Sequence, residues 1–216
     1  MRTAKLVTRE GYRYLSGTGE PFLALLLALT LVWLGSQRSL LLIADGARWI
    51  RRFFQEMLAG VAAKTMVLDW DHLARTCTER CGTICRSRQE KQRLVRRLLR
   101  RLWAGKVDAA VSVLERYRRQ AKDEAALDGL IAYLQARAEW IPNYRQRRRD
   151  QQYIGSGQVE KANDLLVARR QKNRGMQWSQ ATSEGLAALR TLLLNGGWER
   201  YWVEREVLPW AEAVAA

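Results

Sequence analysis

The sequence predicts an α/β fold that is helical over most of its length and is interrupted by a large all-helical insertion. Three observations carry this. Two short apolar runs, 39–44 and 64–69, each close on an acid and flank an amphipathic stripe, which is a strand, helix, strand pattern. The pattern is then helical throughout from residue 73 to about 149. Finally, Gly155-Ser156-Gly157 is a turn that launches another helix, with Glu160 in its first turns.

The elements follow in order. Pro21 stands where the first turn of a helix over 20–34 tolerates a missing N–H, and Gly35-Ser36-Gln37-Arg38 ends that helix. The apolar run from Phe22 to Leu34 is thirteen residues long, short of the roughly twenty a membrane span needs, and a buried helix is expected. The basic start has no cleavage site after the apolar run, so a secretory signal is not expected. Residues 39–44 read as a strand buried on both faces of a largely parallel sheet. Trp49, Ile50, Phe53, Phe54, Met57 and Leu58 stripe a helix over 47–60, and 64–69 reads as a second strand. A right-handed crossover makes the two strands parallel and places Asp45 and Asp69 at one sheet edge, where α/β proteins bind ligands.

Within the insertion, Leu94, Leu98, Leu99 and Leu102, then Val107, Val111 and Leu114, then Leu127, Leu130, Ile131 and Leu134 recur at helical spacing. Gly105-Lys106 and Lys122-Asp123-Glu124 are its connections, and Trp140-Ile141-Pro142-Asn143 breaks it. Leu186, Leu189, Leu192 and Leu193 stripe a helix over 182–194, closed by Asn195-Gly196-Gly197. The chain thus divides into 1–72, a partial core; 73–152, the helical insertion; 153–195, which completes the core; and 196–216, a Trp-rich arm.

Lys and Arg number 37 against 22 Asp and Glu, an excess that attracts phosphate backbones. The cations cluster at 86–106, 145–149 and 169–174, an extended footprint that makes nucleic acid the first partner to consider; solvation of a helical surface is the plainer reading. Cys77, Cys81 and Cys85 are spaced by four and share a helical face, which favours packing in a reducing cytosol over a disulfide framework or a zinc site.

Phosphoryl transfer on DNA uses two divalent ions held by carboxylates from separate elements, with Mg²⁺ or Mn²⁺ the hard cations suited to such ligands. Asp45 and Glu160 are the candidates; each also has a plain role, as an Asp-Gly turn residue and as a helix-start carboxylate. Asp69 and His72 are close enough to face one pocket, with Asp69 a candidate to orient the imidazole through a ring N–H. A structural His is the alternative, and Asp71 fits an N-cap. Trp178, after Arg169, Arg170, Lys172 and Arg174, could stack on an unpaired base while the cations grip phosphate, or pack in a core.

Taken in order, Ile43-Ala44-Asp45-Gly46-Ala47-Arg48-Trp49-Ile50, Asp69-x-x-His72, the helical interruption, Ile154-Gly155-Ser156-Gly157-Gln158-Val159-Glu160 and Gly175-Met176-Gln177-Trp178-Ser179 resemble bacterial insertion-sequence transposases of the DDE class. The branch most similar is the one related to mutator-like elements. The resemblance implies an RNase H-like core with an all-helical insertion, strand transfer at element ends, and Asp45 and Glu160 as second and last metal ligands. It makes Asp69 and His72 the supporting pair.

One departure stands out. The family's first catalytic Asp precedes the second on the first core strand, whereas no Asp precedes Asp45 here; Glu10 and Glu20 are the only earlier acids. Forty-four residues look too few for the usual leading strands together with the 20–34 helix and a DNA-binding domain. The chain is therefore expected to correspond to the C-terminal portion of a transposase, inactive or nearly so alone, working with a complementing N-terminal fragment or as a homo-oligomer. A non-enzymatic DNA-binding remnant is the alternative. The expected location is the bacterial cytoplasm, at the nucleoid, with no membrane partner.

Overall fold

The computed structural model describes residues 1–7, 11–35, 39–171 and 176–204. It is predominantly helical with two small sheets. The chain forms two compact units, Met1–Leu40 with Gly157–Ala216, and Leu41–Ser156. These boundaries differ from the divisions at 72 and 152 drawn from the sequence.

In the first unit, β1 (Arg2–Val7) and β2 (Tyr12–Gly17) form an antiparallel hairpin, with Arg2 opposite Gly17 and Val7 opposite Tyr12. Strands ahead of the first helix are not among the elements read from the sequence. The hairpin lacks period-two patterning, since adjacent Tyr14 and Leu15 are both buried, and it was not legible for that reason.

Helix α1 (Gly19–Leu34) follows, with Pro21 in its first turn as expected. It buries Phe22, Leu23, Leu26 and Thr30. The expectation of a buried helix holds on that face and fails on the other, where Leu31 and Val32 are 48% and 73% exposed. No described helix is long and apolar enough to cross a membrane.

Helix α8 (Gly157–Asn163) packs on β1 and continues through a π turn (Asp164–Ala168) into the short α9 (Arg169–Gln171). Tyr14, Ala162, Leu166 and Val167 form the small core there. Helix α10 (Gln180–Leu194) starts at Ser179, whose hydroxyl accepts from Thr182 N–H at 3.2 Å.

The buried face of α10 carries Ala187, Thr191 and Leu192, while Leu189 and Leu193 are exposed, so the helix is turned from the Leu stripe read in the sequence. Polar anchoring sets the rotation. Thr191 Oγ1 lies 2.7 Å from Ser16 Oγ, and Asn195 accepts from Tyr14 N–H and donates to Tyr14 C=O, both at 2.9 Å. The short α11 (Trp198–Trp202) begins the C-terminal arm.

The second unit opens with β3 (Leu40–Ala44), α2 (Arg48–Arg52) prolonged by a π turn (Phe53–Met57), and β4 (Lys64–Leu68). β3 and β4 pair, and Asp69 N–H donates to Ala44 C=O at 2.8 Å. Both carboxyl ends therefore lie together, as parallel strands require. The sheet has only two strands, so β3 is not buried on both faces as expected: Leu41 is 40% exposed.

Helices α3 (Trp70–Ile84), α4 (Arg88–Trp103), α5 (Val107–Tyr117), α6 (Glu124–Gln135) and α7 (Tyr144–Arg149) complete this unit. Side-chain caps start four of them: Asp69, Ser87, Asp123 and Asn143 each accept from the N–H three residues on, at 2.8–3.2 Å. Each cap contributes about 1 kcal/mol.

The expected leucines pack: Leu94, Leu98, Leu102, Leu114, Leu127, Leu130 and Leu134 are buried in one core with Cys77, Cys81 and Cys85. Truncating a fully buried Leu such as Leu98 to Ala would cost about 2–5 kcal/mol. Gly105, at φ +71°, ends α4 where a Cβ would stand 2.8 Å from Asn143 N, so only glycine lets α4 meet the start of α7 this closely.

Candidate functional site

The carboxyl edge of β3 and β4 gathers the acids that the sequence singles out in the second unit. Asp45 follows β3 and is exposed. Its Oδ1 accepts from Ala47 N–H at 2.9 Å, an Asx turn, so the plain turn role is real. Gly46 completes that turn at φ +74°, packed so that a Cβ would lie 3.1 Å from Leu68 Cδ1 and 3.2 Å from Arg137 Nε. Arg137 in turn lies over the Tyr133 ring at 4.1 Å and donates to Tyr133 C=O at 3.3 Å, while its buried Nε has no hydrogen-bond partner.

Asp69 follows β4 and is 2% exposed. Its Oδ1 accepts from His72 N–H at 2.9 Å, and its Oδ2 accepts from both the N–H and the hydroxyl of Ser156. Trp70 N–H adds a bond to Ile154 C=O at 3.1 Å. The end of β4 is therefore clamped to the Ile154-Gly155-Ser156 turn by one buried carboxylate.

Burial alone would raise the Asp69 carboxyl. The Ser156 hydroxyl and the N–H groups of His72, Ser156 and Asp71 outweigh it and hold the carboxyl below its ordinary value. Tyr144 seals the same edge from α7, donating to Leu68 C=O at 2.7 Å, its own hydroxyl pushed up by burial. Trp70, Trp103 and Tyr144 pack together there, with ring centroids 4.7–6.1 Å apart.

Two expectations are corrected here. Asp69 does not orient the His72 imidazole; it bonds the backbone N–H of His72, and the ring Nδ1 lies 3.4 Å from Arg75 Nη2. The N-cap of α3 is Asp69, and Asp71 sits in the first turn. The Asp-x-x-His spacing is the cap-to-N3 spacing of a helix start, and a cap satisfies a lone pair more cheaply than a distant ring can. Ser156 and Tyr144 were missed as partners of this edge because they lie 87 and 76 residues from their acceptors. The Ser in the Gly-Ser-Gly turn was the only signal.

Glu160 lies on α8 in the first unit and is exposed. Arg169 is exposed and pairs with Asp164 at 2.6 Å, a surface contact worth little. Trp178 is 40% exposed. Lys172, Arg174 and the side chain of Arg170 lie outside the described residues. The three cysteines are free and buried, with burial pushing Cys77 and Cys81 up to about 12, the packing role read from their spacing.

Divalent metal needs carboxylate oxygens that are free to bind. Donors engage both oxygens of Asp69, whereas the hydrogen bond of Asp45 engages Oδ1 alone. Among the described residues no group of three or more His, Cys, Asp or Glu could hold a metal ion. The donor set at this edge thus does not by itself fit a two-metal cage. Comparison with known protein families, with characterised proteins and with solved structures finds no match to this chain.

Proposed function

We propose that the chain is a DNA transposase of the DDE class, or the C-terminal portion of one, catalytically incomplete in itself. The observation that carries this reading is Asp45 at the carboxyl end of β3, beside a parallel β4 and ahead of an all-helical segment that leads to the Glu160 helix. In this reading Asp45 and Glu160 hold Mg²⁺ or Mn²⁺ once a first acid completes the set, and the metal would stabilise charge on the reacting phosphate. Asp69 positions the Gly155-Ser156 turn from which α8 departs, rather than touching DNA or metal. The basic excess supplies attraction for the DNA backbone.

Asp45 engaged in its own turn and Asp69 hydrogen-bonded at both oxygens favour a second reading, a DNA-binding remnant without chemistry. The experiment that separates the two is nicking and joining of labelled element-end duplex with Mn²⁺. The chain is assayed alone and then with a polypeptide supplying a strand that ends in Asp. The proposal expects activity only on complementation, and none with Glu160→Ala. No activity in either arm with binding intact supports the remnant, and activity of the chain alone contradicts its incompleteness.

A further inference from the structure

We propose that the outer face of α4, continued onto α7, is a docking surface for the phosphate backbone of duplex DNA. The inference rests on the DNA reading above and assigns that contact to residues other than the Arg169 cluster.

Arg93, Arg96, Arg97 and Arg100 recur at the spacing of one helical face. At 100° per residue this face lies opposite Leu94, Leu98 and Leu102, the residues that α4 buries in the core. All four arginines are exposed. The second basic run, far away in sequence, begins where the first one ends. Tyr144, which opens α7, stacks on Trp103, which closes α4, at 6.1 Å, and it is followed by exposed Arg145 and Arg148.

None of these arginines is paired with a carboxylate among the described residues. Guanidinium groups without internal partners keep their charge for an external anion, and their planar fork loses less order per hydrogen bond formed than an ammonium does. A duplex carries one negative charge per about 1.7 Å of axis, so such a strip meets several phosphates at once. An anionic membrane fits less well, because an interfacial helix inserts an apolar face and that of α4 is already buried in the protein.

The test is binding of the full-length chain to a labelled duplex by fluorescence anisotropy, over a range of salt concentrations. The variants are the quadruple change Arg93→Gln, Arg96→Gln, Arg97→Gln, Arg100→Gln, and the same four positions changed to Lys. Each phosphate that the protein no longer neutralises lowers the slope of log K against log salt by about 0.9. The expected result is a slope lower by about 3.6 in the Gln variant and close to wild type in the Lys variant, which keeps the charge. A Gln variant with wild-type slope overturns the inference and leaves the DNA reading standing. A wild-type chain that ignores duplex DNA but binds vesicles containing phosphatidylserine overturns both.

Discussion

Asp45 and Asp69 end adjacent strands of one sheet and differ in everything that decides what a carboxylate can do. Asp69 is buried and accepts from backbone N–H groups and a hydroxyl. Asp45 is exposed, with a single turn contact to Ala47. The chemistry of an acid depends on what its oxygens already hold, not on its place at a sheet edge. Asp69 maintains the fold, and Asp45 is the acid left available to a ligand.

The largest expected effect comes from Asp69→Ala. It removes the α3 cap, worth about 1 kcal/mol, and leaves the part-buried Ser156 donors without their acceptor, at about 1–3 kcal/mol. Urea unfolding should show a loss of about 3 kcal/mol. A loss below about 1 kcal/mol, the value of the cap alone, would break the contrast between the two acids.

Gly46→Ala comes next. It places a Cβ at φ +74° and 3.1 Å from Leu68 Cδ1, for an expected loss of about 1–2 kcal/mol in the same assay. Tyr144→Phe removes one buried hydrogen bond to Leu68 and should lose about 1 kcal/mol. Asp45→Asn keeps the turn acceptor and should leave stability within about 0.5 kcal/mol of wild type, a typical surface change.

The pH dependence sharpens the same contrast. The Asp69 carboxyl is depressed in the folded state, so its contribution is complete above the ordinary carboxylate value of 3.8 and is lost as pH falls through the lower folded value. Wild type should therefore lose stability on that acid limb, and Asp69→Asn should flatten the part of the limb that Asp69 contributes. An unchanged limb would show that other carboxylates govern it.

Helix starts and the apolar faces of the insertion were legible because their signals are local. Pro21, the Gly105 and Asp123 connections and the leucines of α4 and α6 all sit within a turn or two of what they determine. The roles of Asp69, Ser156 and Tyr144 were not, because their hydrogen bonds join residues far apart in sequence and no local pattern records them. The exposed half of α1 and the turned face of α10 escaped the sequence for a related reason. Hydropathy says that a residue can be buried, while the polar anchors at Thr191 and Asn195 decide which face is.

Amide hydrogen exchange at three backbone N–H groups tests the central contrast most directly, since His72 and Ser156 donate to Asp69 and Ala47 donates to Asp45. The account predicts strong protection at His72 and Ser156 with near-intrinsic exchange at Ala47. Equal exchange at Ser156 and Ala47 would contradict it, leaving Asp69 no more a clamp than Asp45.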